Sequence, residues 1–240
     1  MVVWISGASS GIGAALAASV PYEGARLIGI SRRPPAHGEH MEADLANPGA
    51  WPRIADHFGA VLNRHRYDAA VFVHMSGVAT PIGPVVDADP DAYTRAVLLT
   101  AASGQVLGKA FLDACRSSGT PATLVLCSSP AAAMPVYGAS HYGAGKAALQ
   151  YWAAAVATET EGWARVFSVV PYAVDTPMVR TTIGQPPGAT PVAERLRAAA
   201  ERGDLATPEA TAAQIWDLVL DDTTHGSAVP VGAVPAELRS

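Results

Sequence analysis

The stretch Ser6-Gly7-Ala8-Ser9-Ser10-Gly11-Ile12-Gly13 decides the fold, because it stands between a strand-like and a helix-like run. The apolar residues 2–5 precede it, and the alanine-rich residues 14–18 follow it. Glycine at such a turn lets the main chain approach a pyrophosphate, and the new helix presents unpaired N–H groups there. The alternative is an ordinary loop, but the position at the first strand-helix junction favours a dinucleotide site.

Strand-like apolar segments alternate with alanine-rich helical segments along the chain. The strands are predicted at residues 2–5, 26–31, 69–74, 122–127, 165–170 and 228–232, with a short additional one near 39–43. The helices are predicted at 11–20, 47–65, 90–118, 142–160 and 208–221, the last after an N-cap and a proline at Thr207-Pro208. This alternation predicts an α/β fold of the Rossmann type, with a doubly wound parallel sheet of about seven strands.

No internal repeat or linker divides the chain, so residues 1–240 are predicted to form a single domain. Residues 176–206, which are rich in proline and glycine, are predicted to be one long irregular insertion. In a doubly wound fold this insertion follows the carboxyl end of a late strand, where ligands bind. We interpret it as a lid over a substrate, and the alternative is a mobile surface loop.

Composition narrows the class of protein. Half of the residues are apolar and 15% are charged, which is typical of a compact enzyme. The net charge of -5 offers no basic surface for nucleic acid, and no apolar run is long enough for a membrane span. Two cysteines, Cys115 and Cys127, are expected as free buried thiols, and with no signal peptide this predicts a cytoplasmic protein. The scattered histidines, without CxxC or HExxH, predict no metal site.

Two arginines follow the second predicted strand, in Ser31-Arg32-Arg33. An acidic residue at this place would bind the adenosine ribose and repel a 2′-phosphate, whereas arginine binds that phosphate. We therefore predict NADP(H) as cofactor, with Arg32 as the main contact and Arg33 or Ser10 assisting. The alternative is a solvated basic turn. After the third strand, Asp44-Leu45 is predicted to hold the adenine edge, with Asp44 accepting from its amino group.

Three polar residues predict a catalytic centre. Tyr142 and Lys146 are four residues apart and therefore lie on one face of a helix. The ordinary pKa of tyrosine is about 10, and a nearby ammonium group lowers it. Ser129, at the end of the preceding strand, can orient a carbonyl oxygen beside the tyrosine. Taken singly, these residues could be a helix-surface pair and a strand-ending turn; together they predict a proton donor.

These motifs resemble those of the short-chain dehydrogenase/reductase family over nearly the whole chain, including the stretch Pro171-Tyr172-Ala173-Val174-Asp175-Thr176-Pro177-Met178. The resemblance implies that Tyr142 is the general acid or base, that Lys146 lowers its pKa and holds the nicotinamide ribose, and that Ser129 steadies the substrate oxygen. It also implies cofactor contacts from Ser76, Gly77, Val174 and Thr176. A Rossmann fold, no catalytic metal, and a homodimer or homotetramer follow from the same resemblance.

The chain departs from the family pattern at three places. His74-Met75-Ser76-Gly77 replaces the usual Asn-Asn-Ala-Gly, Thr100 replaces an asparagine of the proton path, and Tyr172 replaces a glycine. We expect His74 to be packed or hydrogen-bonded, with cofactor contact as the alternative. Because neighbours on a helix point about 100° apart, we expect His141 at the surface or pocket rim instead of acting as a second base.

Residues 131–137, with Tyr172, Pro177, Met178 and Ile183, are predicted to line an apolar pocket for a hydrophobic or aromatic ketone. The stretch 76–84 is similar to the sepiapterin reductase and benzil reductase branch. The leading hypothesis is an NADPH-dependent carbonyl reductase acting on a small carbonyl or alcohol substrate. The alternative is a cofactor-binding regulator with little or no turnover, which the missing asparagines favour and the intact serine, tyrosine and lysine disfavour.

Overall fold

The computed structural model describes residues 1–234 as one α/β domain built on a parallel seven-stranded sheet. The strands are β1 Val2–Ser6, β2 Arg26–Ser31, β3 Glu39–Glu42, β4 Ala70–His74, β5 Ala122–Cys127, β6 Ala164–Tyr172 and β7 Ala228–Gly232. Their order is β3-β2-β1-β4-β5-β6-β7, and each neighbouring pair is parallel. The predicted Rossmann-type sheet is confirmed, and its order reverses between β1 and β4, where such folds bind ligands.

Helices cover both faces of the sheet. They are α1 Gly11–Ala18, α2 Trp51–Arg64, α3 Pro90–Val97, α4 Ser103–Ser118, α5 Ser140–Thr160, α6 Pro177–Ile183, α7 Pro191–Glu201 and α8 Pro208–Leu220. The single helix predicted at 90–118 was wrong in one respect, because a π-helical turn, Leu98–Ala102, separates α3 from α4. Such wide turns often occur at functional sites.

The irregular insertion predicted at 176–206 contains two helices, α6 and α7, and this part of the prediction was wrong. Each helix begins with a Thr-Pro pair, in which the threonine hydroxyl caps the first turn. Thr176 Oγ1 accepts from the Val179 amide at 3.3 Å, and Thr190 Oγ1 accepts from the Val192 amide at 3.4 Å. Proline at the first helical position starts a helix instead of breaking it, because its missing N–H would be unpaired there anyway.

Alternate residues of each strand pack on opposite faces, so the sheet separates two hydrophobic clusters. On one face, Trp4 of β1 packs edge-on against Phe58 and Phe111, with ring centroids 5.2 and 6.0 Å away. On the other face, Ile5 of β1 belongs to a cluster with Trp216 of α8. Burial on both faces explains why the strands are continuous apolar runs, and it fixes their carboxyl ends as one rigid edge.

Candidate active site

The glycine-rich loop joins β1 to α1 and needs glycine at specific positions. Gly7 and Gly11 have φ angles of +72° and +55°, which L side chains rarely adopt. A Cβ on Gly13 would lie 2.3 Å from the Gly7 carbonyl oxygen, so the loop and the helix are in close contact. Ser10 makes no side-chain cap bond and the first turn of α1 has no acidic residue. The amides of this turn are therefore suited to an anion such as a pyrophosphate.

Tyr142, Lys146 and Ser129 converge at the carboxyl end of β5. Lys146 Nζ lies 5.7 Å from the centroid of the Tyr142 ring and donates to the Cys127 carbonyl oxygen at 2.7 Å. Only 1% of the Lys146 surface is exposed, so this hydrogen bond fixes the ammonium group in place. The Ser129 side chain also interacts with the Tyr142 hydroxyl and lowers the pKa of the phenol. The structure thus brings the three predicted residues together.

The pKa of Tyr142 differs from the expectation in its direction. Burial raises this pKa, and the positive charge of Lys146 and the hydrogen bond from Ser129 lower it, with burial dominating. Lys146 lowers the pKa as predicted, but burial outweighs it, and the net pKa lies above the ordinary value of 10.0. The phenol is therefore protonated at neutral pH, the form that a proton donor requires.

His74, at the end of β4, is completely buried within a chain of hydrogen bonds. Its Nδ1 lies 3.0 Å from Ser6 Oγ, and its Nε2 lies 3.3 Å from Ser103 Oγ. Ser6 Oγ also accepts from the Ser76 amide, and Ser103 Oγ also donates to the Leu99 carbonyl oxygen. His74 is therefore the packed, hydrogen-bonded residue expected from its position at the strand end.

The donors and acceptors of this chain are all satisfied when the imidazole is neutral and carries its proton on Nε2. Ser103 uses its proton for the Leu99 carbonyl, so it accepts from His74 Nε2–H. Ser6 donates to the unprotonated Nδ1 and accepts from the Ser76 amide. Burial, assisted by the charge of Lys146, lowers the pKa of His74 to about 3. His74 thus connects β1 and β4 to the turn between α3 and α4 without carrying a charge.

Thr100 occupies the π-helical turn and is fully buried. Its hydroxyl lies 3.4 Å from both the amide nitrogen and the carbonyl oxygen of Val78, so it binds the main chain of the loop after β4. In that loop, a Cβ on Gly77 would lie 3.1 Å from Lys146 Nζ. The loop therefore approaches the lysine closely, and Thr100 binds the main chain of the same loop.

The stretch after β6 lies against the glycine-rich loop. A Cβ on Gly11 would come within 3.3 Å of Thr176 Cγ2, which places Thr176 across the cleft from the start of α1. Val174 is buried and forms an isolated bridge with Ala206. Where the family usually has glycine, Tyr172 is extended, and the positive φ of +40° falls on Ala173. This strained residue is located where the predicted nicotinamide contacts begin.

The predicted adenosine end carries exposed charges. Arg32 and Arg33 are exposed, and within residues 1–234 their guanidinium groups make no hydrogen bond or ion pair. Asp44 is paired with Arg95, whose Nη2 lies 2.6 Å from Asp44 Oδ2. Leu45 is buried, and its carbonyl accepts from the Trp51 indole at 3.1 Å. Sequence reasoning missed Arg95, because its position on α3 gives no local signal of this pairing.

His141 is 4% exposed, so the prediction of a surface or rim position was wrong. Its ring packs 5.3 Å from that of Tyr93 on α3, a contact that depends on how two helices meet. Its Nε2 is buried without a hydrogen-bond partner in the described chain. Burial lowers the pKa of His141, and weak backbone contacts with Thr80 and Ala79 raise it.

Residues 131–136 line an open groove of about 470 Å³ together with Gly143, Ala144 and Ala147 of α5. These helical positions are turned about 100° or more from Tyr142, so the groove lies beside the catalytic face and does not include it. Tyr137, Tyr172, Pro177, Met178 and Ile183 do not line this groove. This groove therefore includes residues 131–136 of the predicted apolar pocket and not its other predicted lining residues.

Several other features bear on the class of protein. Cys115 in α4 and Cys127 in β5 are free and buried. Within residues 1–234, no group of three or more His, Cys, Asp or Glu side chains could hold a metal ion. In the same part of the chain, no helix is both long and apolar enough to cross a membrane.

Comparison with known proteins gives consistent matches. Residues 7–231 match a family described as enoyl-(acyl carrier protein) reductase. The chain is 31% identical over 191 residues to 1-deoxy-11-beta-hydroxypentalenate dehydrogenase of Streptomyces avermitilis, covering 73% of this chain and 69% of the relative. A short-chain dehydrogenase/reductase structure from Saccharomyces cerevisiae is 20% identical with a TM-score of 0.82, covering 99% and 98% of the two chains. A putative NAD(P)-dependent gluconate 5-dehydrogenase from Beutenbergia cavernae, with bound NADP, is 21% identical with a TM-score of 0.78, covering 97% and 95%.

Proposed function

This chain belongs to the short-chain dehydrogenase/reductase family, and from that premise we propose that it is an NADPH-dependent carbonyl reductase. The observation that carries the proposal is the convergence of Ser129, Tyr142 and Lys146 at the carboxyl end of β5. Lys146 and Ser129 are held by main-chain groups of Cys127 and Ala131 before any substrate binds, which is the preorganisation that proton transfer requires.

The residues around the cleft fit a phosphorylated dinucleotide. The glycine-rich loop provides close main-chain approach and a helix N-terminus for the pyrophosphate, through Gly7, Ser9, Ser10, Gly11, Ile12 and Gly13. Two exposed guanidinium groups, those of Arg32 and Arg33, suit the 2′-phosphate, and Asp44 and Leu45 suit the adenine. Ser76, Gly77, Val174 and Thr176 suit the nicotinamide end. NADPH, when bound, supplies the hydride.

The protein supplies the proton and the orientation. Tyr142, protonated at neutral pH, transfers the proton of its hydroxyl to the carbonyl oxygen as the carbonyl carbon is reduced. The Ser129 hydroxyl donates to the same oxygen and fixes its direction. Lys146, held by the Cys127 carbonyl, stabilises the phenolate that remains after the transfer. The raised pKa of Tyr142 favours the reducing direction, in which the phenol starts protonated.

A hydrophobic or aromatic ketone is the substrate class that the surroundings favour. Met134 and Tyr137, on the loop after Ser129, are 54% and 59% exposed, so apolar surface is available near the centre. The 176–206 segment is tied to this loop, because Thr190 Oγ1 donates to the Tyr137 carbonyl at 2.8 Å. We therefore assign this segment, with α6 and α7, as the lid over the substrate.

The assembly and location that we propose follow the same reasoning. Val106 on α4 and Tyr151 on α5 are 43% and 79% exposed, and burial of these side chains against a second copy favours a homodimer or homotetramer. Free buried thiols at Cys115 and Cys127 suit a reducing cytoplasm.

Spectrophotometric NADPH oxidation with a panel of aromatic diketones, pteridines and aliphatic ketones tests the proposal. We expect turnover with at least one hydrophobic carbonyl and a preference for NADPH over NADH. Turnover of pteridines would favour the sepiapterin reductase branch. NADPH binding without turnover of any carbonyl, and without oxidation of the matching alcohols by NADP⁺, would contradict the proposal.

A second candidate function is a cofactor-binding regulator of the same fold. The observation that favours it is that Thr100, where the family has a proton-path asparagine, binds the main chain of Val78 with its hydroxyl. The substitution Thr100→Asn separates the two functions. A reductase with a weakened proton path should gain turnover, whereas a regulator should remain inactive with unchanged cofactor binding.

A further inference from the structure

Arg95 and Asp44 form an ion pair that joins two distant parts of the chain. Arg95 lies in the last turn of α3, and Asp44 follows β3. Arg95 Nη2 lies 2.6 Å from Asp44 Oδ2, while Asp44 Oδ1 accepts from the Ala46 amide at 3.1 Å. Both carboxylate oxygens therefore have a hydrogen-bond partner, and Arg95 on α3 and the Ala46 amide together set the orientation of the carboxylate.

The same carboxylate lies close to the predicted phosphate contact. Ser31 of β2 pairs with Glu42 of β3, and the Ala43 amide donates to the Ser31 carbonyl at 3.1 Å. Arg32 and Asp44 therefore leave two adjacent strands at the same edge of the sheet. Burial raises the pKa of Asp44. The hydrogen bonds from Arg95 and Ala46 and the charges of Arg95 and Arg32 lower it by a larger amount, so the net pKa lies below its ordinary value.

An unpaired carboxylate at this place would oppose phosphate binding in two ways. It would repel the dianionic 2′-phosphate, and it would offer Arg32 an internal partner that competes with that phosphate. With Arg95 present, the carboxylate is already paired, and the guanidinium groups of Arg32 and Arg33 make no ion pair within residues 1–234.

We propose that Arg95 is a specificity-determining residue for NADP(H), which neutralises Asp44 and so keeps Arg32 and Arg33 available to the 2′-phosphate. This inference rests on the proposed function, since it concerns the cofactor preference of the same site. Arg95 acts through Asp44 and has no assigned contact with the reacting atoms. Its effect should therefore appear in ligand discrimination at the adenosine end.

Calorimetric binding of 2′,5′-ADP and 5′-AMP tests this without any catalytic turnover. These probes carry the adenosine end with and without the 2′-phosphate. We expect Arg95→Ala to weaken 2′,5′-ADP by roughly threefold to tenfold, the size of one screened charge interaction, and to change 5′-AMP binding less than twofold. Adding Asp44→Asn to Arg95→Ala should restore most of the preference for 2′,5′-ADP over 5′-AMP, because both probes share the adenine that Asp44 is proposed to hold. The loss of preference should shrink as salt is raised.

The matched control is Lys109→Ala, which removes an equal charge from another exposed ion pair, the one with Asp113 on α4. It should leave the binding of both probes unchanged. Equal weakening of both probes by Arg95→Ala, no weakening of either, no rescue by Asp44→Asn, or a similar loss in Lys109→Ala would each overturn the inference.

Arg32→Ala separates this inference from the proposed function. If Arg32→Ala leaves 2′,5′-ADP binding unchanged, the proposed NADP(H) preference itself fails. If Arg32→Ala discriminates between the probes and Arg95→Ala does not, only the role of Arg95 is overturned. Melting temperatures of the variants should stay close to that of the wild type, because the Arg95 side chain is 51% exposed.

Discussion

The two ends of the proposed cofactor cleft are built on opposite principles. At the catalytic end, Lys146 and His74 are 1% and 0% exposed, and hydrogen bonds hold both side chains in place. At the adenosine end, Arg32 and Arg33 are exposed on a loop, and their guanidinium groups are unpaired within the described chain. The difference shows that a proton donor needs neighbouring groups fixed in place before the substrate binds. A phosphate site needs positive groups that are not already paired within the protein.

The contrast also has an energetic side. A buried polar group that loses its partner keeps its full desolvation penalty, about 1–3 kcal/mol, whereas an exposed ion pair contributes about 0–1 kcal/mol. Substitutions at the catalytic end should therefore change turnover or stability strongly. Substitutions at the adenosine end should mainly change which ligand binds.

The largest effect is expected for Tyr142→Phe, which removes the proton donor at the buried end. We expect kcat to fall by about a thousandfold or more while NADPH binding changes less than threefold. Steady-state kinetics and fluorescence titration of NADPH measure the two quantities. Tyr151→Phe on the same helix is the control, because Tyr151 is 79% exposed and should keep full activity. Comparable turnover in both variants would refute the assignment of Tyr142.

A second test concerns the glycine-rich loop between the two ends. Gly13→Ala places a Cβ 2.3 Å from the Gly7 carbonyl oxygen. We therefore expect the free energy of unfolding to fall by about 2–3 kcal/mol and dinucleotide binding to be lost. Gly59→Ala on α2 is the matched control, because nothing lies within 4 Å of its Cβ. It should stabilise the protein by about 0.5–1 kcal/mol. Chemical denaturation measures both, and equal behaviour of the two variants would contradict the close packing of the loop.

The pH dependence of stability tests the buried network. The pKa of His74 is about 3 in the folded protein, below the ordinary value of 6.5, so folding favours its neutral form. The stabilisation is therefore fully present above pH 6.5 and is lost as the pH falls towards 3, by about 1.4 kcal/mol per pH unit.

The substitution His74→Asn removes this titration. At pH 7 the variant should be less stable than the wild type by about 1–3 kcal/mol, because Ser6 and Ser103 lose a partner. Urea denaturation at pH 7, 6 and 5 should show the difference narrowing as the pH falls. A difference that stays constant across this range would show that His74 is not held neutral by the fold.

The smallest effects are expected at the exposed end. Arg32→Ala should weaken NADPH binding by roughly tenfold, the contribution of one charged hydrogen bond, and change NADH binding less than twofold. Arg33→Ala should show the same selectivity with a smaller loss, about threefold, since its predicted role is to assist. Fluorescence titration with both cofactors measures these ratios. Equal losses for NADPH and NADH would contradict recognition of the 2′-phosphate.

The strands were predicted well because their signal is local. Residues 26–31, 122–127 and 228–232 have the same bounds in the sequence prediction and in the structure. The central strands β1, β4 and β5 are buried on both faces, and such burial requires a continuous apolar run, which is visible without any tertiary contact. The same holds for Thr207-Pro208, because the predicted N-cap hydroxyl of Thr207 accepts a hydrogen bond from the Ala210 amide at 3.1 Å.

The errors had physical causes that local sequence does not contain. The Thr-Pro pairs at 176–177 and 190–191 carry the same helix-start signal as Thr207-Pro208, but the surrounding glycines and prolines led to an irregular prediction. His141 was placed at the surface because it is next to Tyr142 and neighbours on a helix point about 100° apart. Its burial against Tyr93 depends on how α3 and α5 meet, which the local sequence does not contain. The π-helical turn at Leu98–Ala102 leaves no recognisable pattern in the sequence of the helix predicted at 90–118.

The sequence by itself determined the order of strands and helices, the glycine-rich turn and the helical spacing of Tyr142 and Lys146, because each depends on neighbours along the chain. Only the tertiary structure decided the direction of the Tyr142 pKa shift, the partners of His74 and the pairing of Arg95 with Asp44. These depend on burial and on contacts between residues far apart in the sequence. His74 lies 68 and 29 positions from Ser6 and Ser103, and the two residues of the ion pair are 51 positions apart. Desolvation and long-range pairing arise only when the chain has folded, which is why no local pattern reveals them.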